Sequence, residues 1–295
     1  LVPPGETLHT LDPSARLRKV LDHIRDHQSD ADLLVFTGDI ANDGAEAAYL
    51  SLKDMLTDVP LPVRFMLGNH DRRASFRKVF PEAEVDGTGF VQSFLDTKDG
   101  HDRLLFLDSL EEGEIGGRYC KKRLDWLLAT LASDPDLPVT VFVHHPPIAH
   151  GMRHFDNIGF HDAQPFMDVL RSHKAGIRHI FFGHIHIPLS GVTRDGIGFS
   201  SGRGCNHQFT KGVEGEKGVE GDDPLPCVTT PRRRRSGGGE GRNQPQAPTT
   251  AARATRRRPA LHRGGQRSGG GQRGGAPSVR KGEAIPHLGG GRRDR

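Results

Sequence analysis

The sequence has few of the features that mark a disulfide-linked or membrane-spanning protein. Its three cysteines, Cys120, Cys205 and Cys227, are too widely spaced for a disulfide framework or a Cys-x-x-Cys metal site. No run of about eighteen apolar residues occurs, so we expect no transmembrane helix. The first residues also lack the charged and apolar regions of a signal peptide. These absences predict a protein of a reducing, cytoplasmic environment that does not bind membranes.

The C-terminal part of the chain lacks aromatic residues and has few acidic ones. All 18 aromatic residues lie at or before Phe209. Residues 228–295 hold 17 basic and three acidic residues, a net charge of +14, whereas the other 227 residues hold 24 basic and 34 acidic ones, a net of −10. A segment with so few apolar residues cannot bury a core. We therefore predict a folded domain at 1–210 and a disordered Gly/Arg/Pro-rich tail at 211–295, whose composition a shifted reading frame in a GC-rich gene would also produce.

The first 210 residues predict alternating helices and strands. An apolar pattern at Leu17, Val20, Leu21 and Ile24 after Asp12-Pro13 predicts a capped helix. Further helices are predicted at 45–56, 119–131 and 163–173, the second with Leu124, Leu127, Leu128 and Leu131 on one face. Strands are predicted at 32–37, 62–67, 90–95, 103–107, 139–143, 177–182, 189–193 and 197–200.

Four of the predicted strands end in polar residues that are suited to metal binding. Ligand sites of α/β proteins lie beyond the carboxyl ends of the strands, so these residues should converge. A carboxylate, an amide and imidazoles without a thiolate suit Fe, Mn or Zn, and two such ions can hold a phosphoryl group. The candidate ligands are Asp39, Asn69, His144, His184 and His186, and His70, next to Asn69, should reach the same site.

These motifs resemble those of the calcineurin-like metallophosphoesterase superfamily. The sequence is similar to its branch of class III cyclic-nucleotide phosphodiesterases and bacterial glycerophosphodiester phosphodiesterases, from Leu1 to about Gln208. The resemblance implies an α/β fold, the α/β/β/α sandwich of two mixed sheets flanked by helices. The motifs are Gly38-Asp39, Gly68-Asn69-His70-Asp71, His144-His145-Pro146-Pro147 and Gly183-His184-Ile185-His186.

The resemblance also implies a role for each motif residue. Asp39 would bridge two metal ions, and Asn69, His144 and His184 would complete one of the two sites. His186 would belong to the other site. His70 would be the catalytic residue that acts on the phosphate or on the leaving group, while Asn69 also lies near the substrate. His145 would stand behind the ligands, and Asp71 would orient the turn.

The family's pattern begins with a strand that ends in Asp-x-His, and these residues are absent from the sequence. The first strand of the fold is therefore expected to be missing. Two additional substrate contacts are expected. Arg153 lies in the loop after His144-His145-Pro146-Pro147, and His207 lies in a segment that resembles the region after the last core strands.

The expected function is metal-dependent hydrolysis of a small phosphodiester, with 3′,5′-cyclic nucleotides such as cAMP first, by attack of a metal-bridging hydroxide. Glycerophosphodiester hydrolysis is the alternative within the same class. An inactive fragment without Asp-x-His is an alternative of another class. RNA binding by the tail is a third, although a tail without aromatics lacks the usual stacking partners. The acidic domain argues against nucleic acid as the substrate. A homodimer or larger homo-oligomer stays open.

Overall fold

Helices and strands alternate along the part of the chain that the structure describes. The computed structural model describes residues 1–209 and 219–220, so the predicted tail at 211–295 lies almost wholly outside the described residues. The helices are α1 (Pro13–His27), α2 (Glu46–Met55), α3 (Arg73–Val79), α4 (Lys121–Ser133), α5 (Arg153–Asn157) and α6 (Ala163–Arg171). The strands are β1 (Leu34–Phe36), β2 (Val63–Phe65), β3 (Ser93–Asp96), β4 (Arg103–Leu107), β5 (Gly117–Arg118), β6 (Val139–Val143), β7 (Phe160–His161), β8 (Ile177–Phe182), β9 (Leu189–Val192), β10 (Gly198–Ser201), β11 (Gln208–Phe209) and β12 (Val219–Glu220).

Helix α1 begins where the sequence predicts it. The Asp12 carboxylate accepts hydrogen bonds from the backbone N–H groups of Ser14 and Ala15, and Pro13 fills the first helical position. The apolar residues of the predicted pattern are the ones that α1 buries. The capping residues and the apolar periodicity therefore both predict the start and the buried face of α1 correctly.

A mixed sheet of six strands forms the centre of one core. Its strand order is β3-β4-β6-β8-β10-β9, with β4, β6, β8 and β10 parallel and the two edge strands antiparallel. Val139, Val141 and Val143 alternate along β6 and pack with α4 and α6 in one apolar cluster. The opposite face carries a row of stacked rings, in which Phe142 lies 5.2 Å from Phe106 and 5.0 Å from Phe181 between centroids.

A second core surrounds a short parallel pair, β1 and β2. Helices α1, α2 and α3 pack against this pair in a cluster that includes Tyr49, Phe76 and Leu52. The prediction of an α/β fold with a mixed sheet flanked by helices is confirmed. Among the described residues only the six-stranded sheet is mixed, because β1 and β2 pair with each other alone and run parallel.

The buried face of α4 differs from the prediction. Leu127 and Leu131 are buried as expected, but the Leu128 side chain is 46% exposed. The helix is turned so that Arg123 points inward, where its guanidinium donates hydrogen bonds to the backbone carbonyls of Asp108 and Leu110. These buried carbonyls need donors, and that requirement sets the rotation of the helix.

Six short elements are not predicted from the sequence. They are α3, α5, the parallel strands β5 and β7, and the antiparallel strands β11 and β12, the last of which lies in the segment predicted as a disordered tail. Elements this short carry too few residues for a periodic pattern. Among residues 1–209 and 219–220, no helix is long and apolar enough to cross a membrane.

Candidate metal centre

Polar residues meet at the carboxyl ends of four strands. Asp39 follows β1, and Asn69 with His70 follows β2. His144 follows β6 directly, and Gly183-His184-Ile185-His186 follows β8. The first pair of strands belongs to one core and the second pair to the other, so the residues face each other where the two cores meet.

The Asp39 carboxylate and the His144 ring form the closest pair across this junction. The His144 Nε2 atom lies 3.2 Å from Asp39 Oδ2, and its Nδ1–H donates to the Thr37 carbonyl at 2.6 Å. Burial alone would raise the pKa of Asp39. The charge of His144 and its hydrogen bond to the carboxylate have a larger, opposite effect and hold this pKa well below its ordinary value. Burial would likewise lower the pKa of His144, yet the Asp39 charge raises it. The Thr37 contact fixes the tautomer that leaves Nε2 for a metal.

Asn69 and His184 make the second contact across the junction. The His184 Nδ1 atom lies 3.0 Å from Asn69 Oδ1, the amide atom that can bind a cation. Burial, together with the charge of His144, lowers the pKa of His184 to about 3. The ring is therefore neutral near pH 7, which is the state that binds metals.

Two buried ring nitrogens at this junction, His184 Nε2 and His186 Nδ1, have no hydrogen-bond partner among the described residues. A third, His144 Nε2, faces only the Asp39 carboxylate there. A buried polar atom without a partner is costly, so native proteins rarely keep one without a use. Burial also lowers the pKa of His186. Unpartnered imidazoles beside a carboxylate and an amide oxygen are a donor set that fits a borderline divalent or trivalent cation.

The backbone at these positions is strained. Asp39, His184 and His186 have φ angles of +52°, +65° and +50°, in the left-handed region that disfavours residues with a Cβ. Such strain costs about 1–3 kcal/mol per residue and is found mostly at functional sites. Three of the predicted metal ligands therefore hold positions that the packing around them enforces.

The Asp71 carboxylate ties the loops after β1 and β2 together. It is buried and accepts hydrogen bonds from the N–H groups of Gly68, Ile40 and Ala41 and from the Tyr49 hydroxyl, at 2.9–3.2 Å. Burial, together with the Asp39 charge, raises its pKa. These contacts match the prediction that Asp71 orients the turn.

His145 lies behind the ligands. Its nearest ring nitrogen lies within 4.8 Å of those of His144 and His184, in a buried triad that is suited to a metal ion. Both His145 nitrogens already have partners, however: Nδ1 lies 2.8 Å from the Ser109 hydroxyl and Nε2 lies 3.2 Å from the Ile115 carbonyl. A ring held at both nitrogens supports its neighbours better than it binds a cation itself.

His70 is exposed at the mouth of the site. Its backbone N–H donates to Asp39 Oδ1 at 3.0 Å, and its Nδ1 lies 2.6 Å from the Asn42 carbonyl. The carbonyl requires a proton on Nδ1, so Nε2 is the atom that is open to a ligand. The contact with Asn42 thus fixes the orientation of the ring.

The two other predicted substrate contacts lie on the His186 side. The His207 ring is buried, and its centroid lies 4.5 Å from that of His186. Arg153 begins α5 instead of lying in a loop, and its side chain is exposed. Phe155 of that helix packs against Phe209, whose ring also contacts His186. Helix α5 therefore borders the same side of the site.

Sequence reasoning missed three residues that shape the site. Tyr49 bonds to Asp71, Ser109 bonds to His145, and His9 contacts His207 with ring centroids 4.7 Å apart. Tyr49 and Ser109 lie within ordinary apolar or strand-end sequence, so no motif marks them. His9 lies in a turn, where a histidine carries no spacing signal.

Comparison with known proteins points to one family. Residues 8–188 match the family described as calcineurin-like phosphoesterase. A protein of Rhodopseudomonas palustris, named Probable cyclic nucleotide phosphodiesterase, is 35% identical over 226 residues, which are 75% of this chain and 81% of that protein.

More distant relatives carry two different activities in their names. A 3′,5′-cyclic adenosine monophosphate phosphodiesterase of Pseudomonas aeruginosa is 28% identical, over 62% of this chain and 64% of its own length. A glycerophosphodiester phosphodiesterase of Enterobacter lignolyticus is 29% identical, over 60% and 63% respectively. The solved structure of a dimetal phosphatase from Danio rerio has a similar fold, with a TM-score of 0.53 at 17% identity, covering 65% of this chain and 78% of that one.

Proposed function

Because the chain belongs to the calcineurin-like phosphoesterase family, we propose that it is a metal-dependent phosphodiesterase of small diesters, 3′,5′-cyclic nucleotides first. The observation that carries this proposal is the set of three buried imidazoles, His144, His184 and His186, beside Asp39 and Asn69. Among the described residues, one nitrogen of His184 and one of His186 have no hydrogen-bond partner, and His144 Nε2 faces only the Asp39 carboxylate. The preference for cyclic nucleotides is supported by the names of the relatives from R. palustris and P. aeruginosa. As part of this proposal, the β1–β2 pair and the six-stranded sheet are the two sheets of the family's four-layered sandwich.

Two ions, each Fe, Mn or Zn, would share the Asp39 carboxylate. Asn69, His144 and His184 would hold one of them, and His186 would hold the other. When bound, such ions polarise the phosphoryl group and supply an activated water as nucleophile. His145 stays outside this ligand set because both of its ring nitrogens are already hydrogen-bonded.

The residues of this chain then orient the diester and handle its protons. The Thr37 carbonyl keeps the proton of His144 on Nδ1, so that Nε2 faces the cation. The Asn42 carbonyl holds the proton of His70 on Nδ1, and Nε2 faces the departing oxygen. In its doubly protonated form, the ring donates the proton of Nε2 to that oxygen and keeps the proton of Nδ1. Asn69 lies beside His70 and contacts the phosphate, and Arg153 and His207 contact the remainder of the substrate.

Hydrolysis of glycerophosphodiesters is the second candidate within this class. It is supported by the relative from E. lignolyticus, whose name states that activity. The same groups would bind the phosphate of either substrate, so the difference must lie in the part of the pocket that holds the alcohol or the base. A small soluble substrate and a cytoplasmic location complete the proposal.

The proposal is tested with the full 295-residue chain loaded with Mn²⁺. Metal content is measured by elemental analysis, and turnover is measured on cAMP and on glycerophosphocholine. We expect bound metal and faster hydrolysis of cAMP. Both should be lost in Asp39→Asn, whereas the exposed-site control His101→Gln should retain them. His70→Gln should keep the metal but lower kcat by about 10²–10⁴-fold, the usual contribution of a general acid.

Other outcomes separate the alternatives. Faster turnover of glycerophosphocholine would favour the second candidate. A chain that binds no metal and hydrolyses neither diester would favour an inactive protein. Unchanged metal content in Asp39→Asn would show that the ligand set is assigned wrongly.

A further inference from the structure

A strained two-residue turn lies at the edge of the metal centre. Leu8 and Leu11 exchange two backbone hydrogen bonds of 2.9 and 3.1 Å, with His9 and Thr10 between them. Both central residues are left-handed, with φ angles of +53° and +64°. Turns of this kind normally take Asn-Gly, because a Cβ, and above all a branched one, is disfavoured there. The pair His-Thr is therefore an unfavourable choice for the turn alone.

The turn places the His9 ring against His207. Their centroids are 4.7 Å apart with an angle of 70° between the ring planes, and the His207 ring lies 4.5 Å from that of His186. Asn206 connects the turn to His207, because its Nδ2 lies 3.5 Å from the Leu8 carbonyl and 3.2 Å from His207 Nδ1. His9 itself is exposed. The strained turn thus holds the exposed His9 ring against His207, which in turn contacts the proposed metal ligand His186.

The neighbouring surface is also aromatic. The Phe209 ring lies 5.3 Å from His207 and 5.2 Å from His186 between centroids. Stacking on such rings requires only that the ligand have a flat π-face, which a nucleobase has and a glycerol or choline group lacks. The proposed function assigns the phosphate to the cations and to His70.

We propose that His9, seated on His207, stacks against the base of the substrate and so favours diesters of nucleosides over diesters of aliphatic alcohols. This inference rests on the proposed function, because it assigns the base end of the same site. His9 is then a specificity-determining residue that takes no part in the chemical step.

The kinetic test uses a Thr10→Gly background in the full chain. Glycine suits the second position of the turn, so this variant should be at least as stable as the wild type and should keep the kinetics of cAMP hydrolysis. Adding His9→Asn should raise KM for cAMP about tenfold, with little change in kcat and less than a twofold change on glycerophosphocholine. Adding His9→Phe instead should restore KM, because Phe offers a ring but neither a metal ligand nor a hydrogen bond. A Phe variant as weak as the Asn variant, or equal losses on both substrates, would overturn the inference.

A binding measurement separates this inference from the proposed function. Titration calorimetry gives the affinities of the Mn²⁺-loaded chain for AMP and for ribose 5-phosphate, which differ by the base alone. The wild type should prefer AMP by about tenfold, and His9→Asn in the Thr10→Gly background should lose most of this preference. A wild type that binds the two equally contradicts the role of His9 whether or not diesters are hydrolysed. A preference for AMP without any hydrolysis contradicts the proposed activity and leaves the role of His9 standing.

Discussion

At the scale of single residues, Gly68 shows how closely the proposed ligands are packed. A Cβ at this position would overlap the Asp39 carboxylate and would lie 2.6 Å from Cε1 of His144, nearer than real Cβ contacts come. Both neighbours are proposed ligands, and neither can move without losing its place. The close approach of the backbone therefore accounts for glycine here without any need for a left-handed φ angle.

Gly68→Ala should consequently destabilise the metal-free chain by about 1–3 kcal/mol, as overpacking of a buried site does. It should also weaken metal binding. Gly87→Ala is the matched control, because no atom of the described residues lies within 4 Å of its Cβ position. It should change the free energy of unfolding by less than about 0.5 kcal/mol. Denaturant titration and metal analysis measure both effects. Equal stability of the two variants would contradict the packing argument.

The buried histidines give the metal-free chain a pH dependence. The pKa of His184 is lowered to about 3 and that of His207 to about 4, in each case first by burial and then by neighbouring histidines. In the unfolded chain both titrate near 6.5. As the pH falls from about 6.5 to 4, the unfolded state binds protons that the folded state does not bind, so stability falls. The raised pKa of His144 has the opposite effect on stability. Its contribution is lost as the pH rises above about 6.5.

Between pH 4 and 6.5, the free energy of unfolding should fall by about 1.4 kcal/mol per pH unit for each of the two histidines, His184 and His207. Urea unfolding of the metal-free protein at several pH values between 4 and 6.5 measures it. His207→Gln should reduce the slope, whereas His101→Gln, at an exposed position, should not. An unchanged slope in His207→Gln would show that this ring does not resist protonation in the folded state.

Much of the site could be predicted residue by residue, for a physical reason. Asp39, Asn69, His144 and His184 each follow a strand, and parallel strands bring their carboxyl ends to one place. His9 could not be found in this way, because a tertiary contact with His207 defines its role. The family resemblance favours His144, the first residue after β6, over His145 as the ligand, and the bonds of His145 to Ser109 and Ile115 support that choice.

At the scale of elements, α4 shows what a periodic pattern leaves undetermined. The leucines at 124, 127, 128 and 131 predict one apolar face. In the structure, however, Arg123 is buried and Leu128 is exposed. A hydrophobicity pattern treats Arg as polar, whereas here a buried guanidinium satisfies two carbonyls that would otherwise be left without donors.

Leu127 and Leu128 make a matched pair for this point. Leu127→Ala should cost about 2–5 kcal/mol, because a fully buried leucine leaves a cavity. Leu128→Ala should change stability by less than about 0.5 kcal/mol. Chemical denaturation of both variants is the measurement. Comparable losses of stability in the two variants would show that Leu128 is buried, as the leucine pattern predicts.

The elements predicted well are those with enough residues to carry a signal. The whole of β6, Val139–Val143, is predicted to the residue, and α1 is predicted with its cap. Strands β5 and β7 pair over two residues each, so their existence depends on the fold around them. The mixed sheet could be expected from the order of elements, but the restriction of the other sheet to β1 and β2 could not.

At the scale of the whole molecule, the proposed ligands come from two separate cores. Asp39 and Asn69 extend from the core around β1 and β2, while His144, His184 and His186 extend from the core of the six-stranded sheet. A cation bound by both groups would stabilise the folded state relative to the unfolded chain, which does not hold the ligands together.

Saturating Mn²⁺ should therefore raise the unfolding temperature. At a metal concentration of about 100 times Kd, the gain is about 2.7 kcal/mol, which corresponds to about 5–10 °C for a domain of this size. Differential scanning calorimetry with Mn²⁺ and with a chelator measures the shift. Asp39→Asn should abolish it and His101→Gln should keep it. The same shift in Asp39→Asn would place the bound ion elsewhere.

The Asp71 contacts have a consequence for the order of assembly. Because one carboxylate gathers the N–H groups of Gly68, Ile40 and Ala41, the loops that carry Asp39 and Asn69 become fixed within their own core. We therefore expect the proposed ligands Asp39 and Asn69 to be positioned within their own core without contacts from the other. If docking of the two cores is the last step of folding, a bound ion would act mainly on the rate at which the cores separate.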